Sequence, residues 1–287
     1  MKALFRIIPA VFIASLCNTA LAAGPQLEKA WESDGFAAPE SVAYDKTNGV
    51  LFVSSINGAP GDKDGNGFIS RLDLDGNVIE RQWVTGLDAP KGMDIVGNKL
   101  YVSDIDTLVE INIDGAAITH RYQAEGAGFF NDVAASADGT VYVSDTATNT
   151  IHRLQDGRFE PWLKNDELDG PNGLQAEADR LMVASLGPFN GPDKSQLFAV
   201  SLADKSIRSA TGGTAVGMLD GLEGDGHGNY YVTDWPNGGL LYITRSGAAE
   251  ELLDLDQGSA DLEFIRDRNL ILIPMMMNNK IVAYRVH

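Results

Sequence analysis

The sequence predicts an all-β fold, a six-bladed β-propeller with four antiparallel strands per blade, its ring closed by the N-terminal strand. Three observations predict it. A strand motif recurs as FVSS (Phe52–Ser55), YVSD (Tyr101–Asp104), YVSD (Tyr142–Asp145), MVAS (Met182–Ser185) and YVTD (Tyr231–Asp234), with a weaker sixth copy, ILIP (Ile271–Pro274). Each copy sits in a unit of short alternating segments, with no amphipathic helical stretch of useful length between them. The ends of the chain complement each other: the sixth unit stops at Arg285-Val286-His287 without a fourth strand, and LEKAWES (Leu27–Ser33) resembles the fourth strands of the other units.

In chain order, residues 1–23 read as a secretory signal peptide. Lys2 and Arg6 make a basic start, Ile7–Leu16 is too short an apolar run to cross a bilayer, and Ala20-Leu21-Ala22 is a small-residue cleavage site. Residues 24–287 form the propeller, and a periplasmic or secreted location is expected. First strands follow at SVAYD, GMDIV, DVAAS, GLQAE, GLEGD and DLEFI, with spacings of 40 to 51 residues. Third strands follow the recurring motif, and Asp-Gly turns such as Asp114-Gly115 and Asp156-Gly157 lead into the fourth. Closure of the ring by the N-terminal segment removes the sheet edges an open seam would expose.

Acidic residues number 40 against 22 basic ones, and loss of Lys2 and Arg6 with the signal makes the balance more negative. That charge argues against nucleic acid or an anionic membrane as partner and is compatible with a cation. No later segment reads as a membrane span. The single cysteine, Cys17, lies in the signal, so the mature chain relies on core burial or metal rather than on disulfides.

The innermost strands of a propeller start at the central channel. Aligned on the first-strand aliphatics, the residues at that point are Glu40, Lys91, Asn131, Asn172, Asp220 and Ala260. Glu40, Asn131, Asn172 and Asp220 are oxygen donors, and two carboxylates with two amide carbonyls suit a hard divalent cation, Ca²⁺ first, with Zn²⁺ or Mn²⁺ as alternatives. In these residues the chain resembles the SMP-30/gluconolactonase/LRE-like family and, more distantly, the paraoxonases. The resemblance implies a six-bladed propeller with a metal in the channel, held by Glu40, Asn131 in FNDV, Asn172 in PNGL and Asp220 in LDGL. It also implies hydrolysis of a small lactone or ester. Lys91 departs from the pattern, since paraoxonase-like relatives place a histidine there. It could bind a substrate carboxylate, stabilise an oxyanion, or replace the metal and plug the channel with ion pairs.

For catalysis the candidates are Asp220 and Lys91, with Glu40 and Asp145 as further possible bases. Asp104, Asp145 and Asp234 repeat at the ends of second strands, which suits bonding to turn amides. Substrate contacts fall to Lys91, Asn131, Trp235 and Phe189; the last two lie on loops expected at the channel mouth, beside Met275, Met276 and Met277. An apolar lip over a polar centre suits a small amphiphilic lactone. Asp132 is a candidate for a second cation in the channel. No GxSxG elbow or nucleotide-binding P-loop is present, and the four histidines lack metal-site spacing. Two other function classes fit the same residues: a ligand- or protein-binding propeller without turnover, and a metal-free propeller of the strictosidine-synthase kind.

One stretch, Gly61 to Asp73, carries the letters of a calcium loop, with Asp62, Asp64 and Asn66 at alternating positions and Gly67 at the turn. Phe68–Leu74 is expected to be a third strand, which takes Asp73 away from Asp62. The stretch is therefore expected to be a lip over the channel, with Asp62, Asp64 and Asn66 as a secondary cation site at most.

Overall fold

A computed structural model describes residues 24–189, 191 and 193–287; the expected signal segment, 1–23, lies outside the described residues. Six four-stranded antiparallel sheets account for the described strands. Five are built from consecutive strands. The sixth combines three C-terminal strands with the N-terminal one: Leu27–Asp34 pairs antiparallel with Lys280–Val286, from Leu27 opposite Val286 to Asp34 opposite Lys280. The expected six blades and their closing strand are what the chain forms.

The first strands are Pro39–Asp45, Pro90–Val96, Phe130–Ala135, Pro171–Ala176, Leu219–Gly224 and Glu263–Ile265. The recurring motif forms the second strands, whose aliphatics are buried: Val53, Val102, Val143, Val183 and Val232 are all fully covered. These alternate with residues facing the opposite side of the same blade, so each sheet is apolar on both faces. The core is accordingly divided among the spaces between blades. Phe52, Ile69 and Trp83 of blade one pack on Met93, Leu100 and Val102 of blade two. Val42 and Leu51 of blade one pack on Leu272 and Ile281 of blade six, across the closing seam.

Two local features differ from the expected pattern. The fourth strand of blade four is reduced to Ile207–Ser209. Of the three methionines expected beside the channel mouth, Met275 instead ends the strand Leu270–Met275 and is buried, whereas Met276–Asn278 forms a 3₁₀ turn that leaves Met277 60% exposed. No helix among the described residues is long and apolar enough to cross a membrane.

Candidate active site

In five blades the residue expected at the axis is the second residue of the first strand: Glu40, Lys91, Asn131, Asn172 and Asp220. In each of these blades the ladder to the second strand shifts register across that residue, between Pro39 and Val42, Pro90 and Met93, Phe130 and Val133, Pro171 and Leu174, and Leu219 and Leu222. An irregularity of this kind bends a strand and re-aims a side chain. Here it recurs five times at one depth.

The recurring motif supplies the groups that hold the irregularity. Its Ser or Thr takes an amide freed from the ladder: Ser41 N donates to Ser54 Oγ at 2.9 Å, Asp132 N to Ser144 Oγ at 2.8 Å, and Gly221 N to Thr233 Oγ1 at 2.8 Å. Its Asp holds the segment entering the first strand. Asp104 accepts from Asp88 N and Ala89 N, and Asp145 accepts from Gly128 N and Phe129 N. The turn-amide role expected for these two aspartates is therefore present, at the entry to the channel. In three blades glycine follows the axial residue. A Cβ on Gly92 would meet Asp132, one on Gly173 the Asp220 carbonyl oxygen, and one on Gly221 the Leu262 amide. Neighbouring blades approach too closely there for any side chain.

Glu40, Lys91, Asn131, Asn172 and Asp220 are all buried, and all line one cavity of about 300 Å³. Its remaining wall is apolar: Ile56, Pro60, Phe129, Leu186, Phe189, Trp235 and Met276. Glu40 Oε2, Asn172 Oδ1 and Asp220 Oδ1 are buried without a hydrogen-bond partner. Buried polar atoms are ordinarily paired, so three orphans on side chains around one cavity mark a place for a ligand. Burial first, then the carboxylates of Asp220 and Asp261, pushes the Glu40 carboxyl well above its ordinary range, while Lys91 pulls the other way. Burial and then Asp261 raise Asp220 similarly, and the nearby Asn172 amide, outside hydrogen-bonding geometry to it, pulls the other way. A divalent cation would relieve both costs, and this donor set fits one. Among the described residues no three His, Cys, Asp or Glu side chains meet in metal-binding geometry, so the two amides are needed to complete the set.

Lys91 is 2% exposed. Its Nζ donates to Ala89 O at 2.9 Å and lies 4.5 Å from the centre of the Phe129 ring. Burial lowers its pKa to about 8, opposed by Glu40 and Asp104. The plug reading requires ion pairs from Lys91 to the ring carboxylates. Among the described residues its ammonium forms none within 4.0 Å.

Asp132 lies outside this cavity. It lines a second one, of about 150 Å³, formed by the first-strand segments of all six blades, with Asp94, Gln175, Glu223, Asp261 and Glu263. Each Asp132 oxygen accepts one amide at 2.6 Å, from Val133 and Leu174. Asp62, Asp64 and Asn66 are exposed on the loop after the second strand of blade one. Both Asp64 oxygens accept from Asn66, at 3.2 and 2.6 Å, and Lys63 pairs with Asp106 at 2.6 Å. Ile56 and Pro60 of the same loop reach the cavity wall, as a lip would.

Four wall residues were not singled out from sequence: Ile56, Pro60, Phe129 and Leu186. Leu186 lies three residues before Phe189, on a loop expected at the channel mouth, and Ile56 and Pro60 precede the Gly61–Asp73 lip, so that signal was present. Phe129 enters from the segment before the first strand of blade three, two residues ahead of Asn131, and its sign is the doubled Phe129-Phe130.

No protein-family model matches the sequence, and no curated protein matches it significantly. In structure the chain is similar to a gluconolactonase from Xanthomonas campestris, with a TM-score of 0.70 and 16% identity over 92% of this chain and 90% of that one. It is also similar to a streptogramin B lyase, with a TM-score of 0.64 and 14% identity over 92% and 98% of the two chains. A virginiamycin B lyase from Staphylococcus aureus gives a TM-score of 0.65 and 13% identity over 92% and 100%. At these identities the likeness establishes the propeller fold.

Proposed function

We propose that the chain is an exported, divalent-cation-dependent hydrolase of small lactones or esters, with Ca²⁺ as the first candidate. The observation that carries the reading is the trio of unpartnered buried oxygens, Glu40 Oε2, Asn172 Oδ1 and Asp220 Oδ1, on side chains lining one half-apolar cavity. The likeness in fold to a gluconolactonase supports the same class.

Glu40, Asn131, Asn172 and Asp220 would hold the cation, which when bound supplies Lewis acidity toward the substrate carbonyl. Phe129, Phe189, Trp235 and Leu186 receive the apolar part of the substrate and exclude bulk water from the reacting bond. Asp220 is the base, a buried carboxylate on the cavity wall beside the reacting carbonyl. It takes a proton as water adds to the carbonyl carbon, and returns it to the alkoxide oxygen as the acyl–oxygen bond breaks.

The test is a panel of aryl esters and γ- and δ-lactones, assayed with Ca²⁺, Zn²⁺ or Mn²⁺ on wild type and Asn172→Ala. Turnover that needs the cation and falls about 100-fold or more in the variant is expected, the scale of losing one preorganised electrostatic group. Turnover unchanged in Asn172→Ala would remove the ring as the site. Binding of these compounds without turnover would favour the non-catalytic class.

A further inference from the structure

We infer that Lys91 receives an anionic oxygen of the cavity's ligand. That oxygen belongs either to a carboxylate of the ligand itself or to the carbonyl that gains charge during hydrolysis. The first source needs only that the cavity binds a ligand; the second rests on the proposed function.

Three observations carry the inference. Among the described residues Lys91 is the only basic side chain lining the cavity, and it is buried with no ion pair within 4.0 Å. A buried ammonium in that state is costly unless something completes its partners. Ala89 O takes one of its three donors and the Phe129 face offers a second contact, which leaves donor capacity unused. Charge points the same way. Ionised Glu40 and Asp220, Lys91 and a bound divalent cation sum to one positive charge, which a single anionic oxygen neutralises.

Lys91 is also held in place by dedicated groups. Asp104 fixes the amides of Asp88 and Ala89, whose carbonyl takes the ammonium. Asp145 fixes the amides of Gly128 and Phe129, whose ring lies beside it. Phe129 is further braced by Phe189, with ring centres 5.5 Å apart. Asp104 and Asp145 are thus positioning residues for Lys91.

The experiment compares phenylacetate with neutral phenylacetamide by calorimetry on calcium-loaded protein, for wild type, Lys91→Met and Asp145→Asn. The same proteins are assayed for turnover of an uncharged phenyl ester. Methionine fills the space of lysine and removes the charge, and unchanged circular dichroism checks the fold. The cation attracts a carboxylate in all three proteins, so their differences isolate the lysine. If the ligand carries the anion, wild type prefers phenylacetate by more than Lys91→Met does, on the order of 10- to 100-fold. Asp145→Asn loses part of that margin, and phenylacetamide binds all three alike. If the oxyanion is the source, Lys91→Met lowers kcat for the ester by a similar factor with KM unchanged. A carboxylate margin with no ester turnover would sustain the inference and sink the hydrolase reading. Ester turnover at the wild-type rate in Lys91→Met, with no carboxylate margin lost, would overturn the inference and leave the hydrolase reading standing.

Discussion

Gly173 illustrates how the site is specified one atom at a time. Its missing side chain lets Asn172 and Asp220, on neighbouring blades, sit at one depth, because a Cβ would run into the Asp220 carbonyl oxygen. That obstacle is backbone and cannot swing aside. Gly173→Ala is therefore expected to destabilise the protein by about 1–3 kcal/mol through overpacking, and to weaken calcium binding beyond that loss by moving Asp220. Gly49→Ala is the control. It has a left-handed φ of 66° and open space around it, so it should cost ~1 kcal/mol from backbone strain and leave calcium affinity alone. Calorimetric titration with Ca²⁺ and thermal melts on both variants separate the two effects. Equal calcium affinity in wild type and Gly173→Ala would show that close blade approach does not set the ring.

The loop after the second strand of blade one poses the same question for an element. Its Asp62, Asp64 and Asn66 spell a calcium motif, yet Asn66 already occupies both Asp64 oxygens and Lys63 adds a nearby positive charge. The Asp62→Ala/Asp64→Ala variant is expected to bind Ca²⁺ with the stoichiometry and affinity of wild type in calorimetric titration. Loss of one equivalent would make the loop a calcium site after all. The loop also shows what was legible in the sequence. Strand order, blade number, the closing strand and the alignment of five axial residues follow from a repeat whose period and alternation are set by local sterics. The third-strand assignment that removed Asp73 from this loop came from the same repeat; the strand is Gly67–Leu72, shorter than expected, and Asp73 caps the turn beyond it by accepting from Asp75 N and Asn77 N. What stayed hidden depends on contacts between units. The register shift at each axial residue is invisible in a single strand's pattern. Phe129 reaches the cavity from a connecting segment whose direction is fixed by Asp145, a residue 16 positions away. The hydroxyl of the recurring motif looked like ordinary strand polarity until its acceptor role at Ser54, Ser144 and Thr233 gave it a partner.

For the whole molecule, the central channel concentrates acid where six blades meet, and this couples stability to pH and to cations. Beyond the ring, burial pushes the carboxyls of Asp94 up to about 6, Asp261 up to about 7 and Glu263 up to about 8. In the unfolded chain the same groups titrate near 4. A carboxyl whose pKa is raised by folding binds its proton more tightly in the folded state. Its contribution is fully present below pH ~4 and is lost as pH rises through the folded value. The cation-free protein is therefore expected to melt at progressively lower temperature between pH 5 and pH 8, opposite to the trend for a protein whose carboxylates are ion-paired. Below pH 5 the acids with lowered pKa outside the channel, among them Asp73 and Asp138, act in the other direction and bound the window. Added Ca²⁺ should raise the melting temperature more at pH 8 than at pH 5, because a cation binds ionised carboxylates and leaves protonated ones alone. Thermal melts in EDTA and in millimolar Ca²⁺ across that range test both halves together. A melting temperature in EDTA that is flat or rises from pH 5 to pH 8 would mean that these carboxyls are solvated in the folded protein. A calcium increment independent of pH would mean that the ion binds away from the channel.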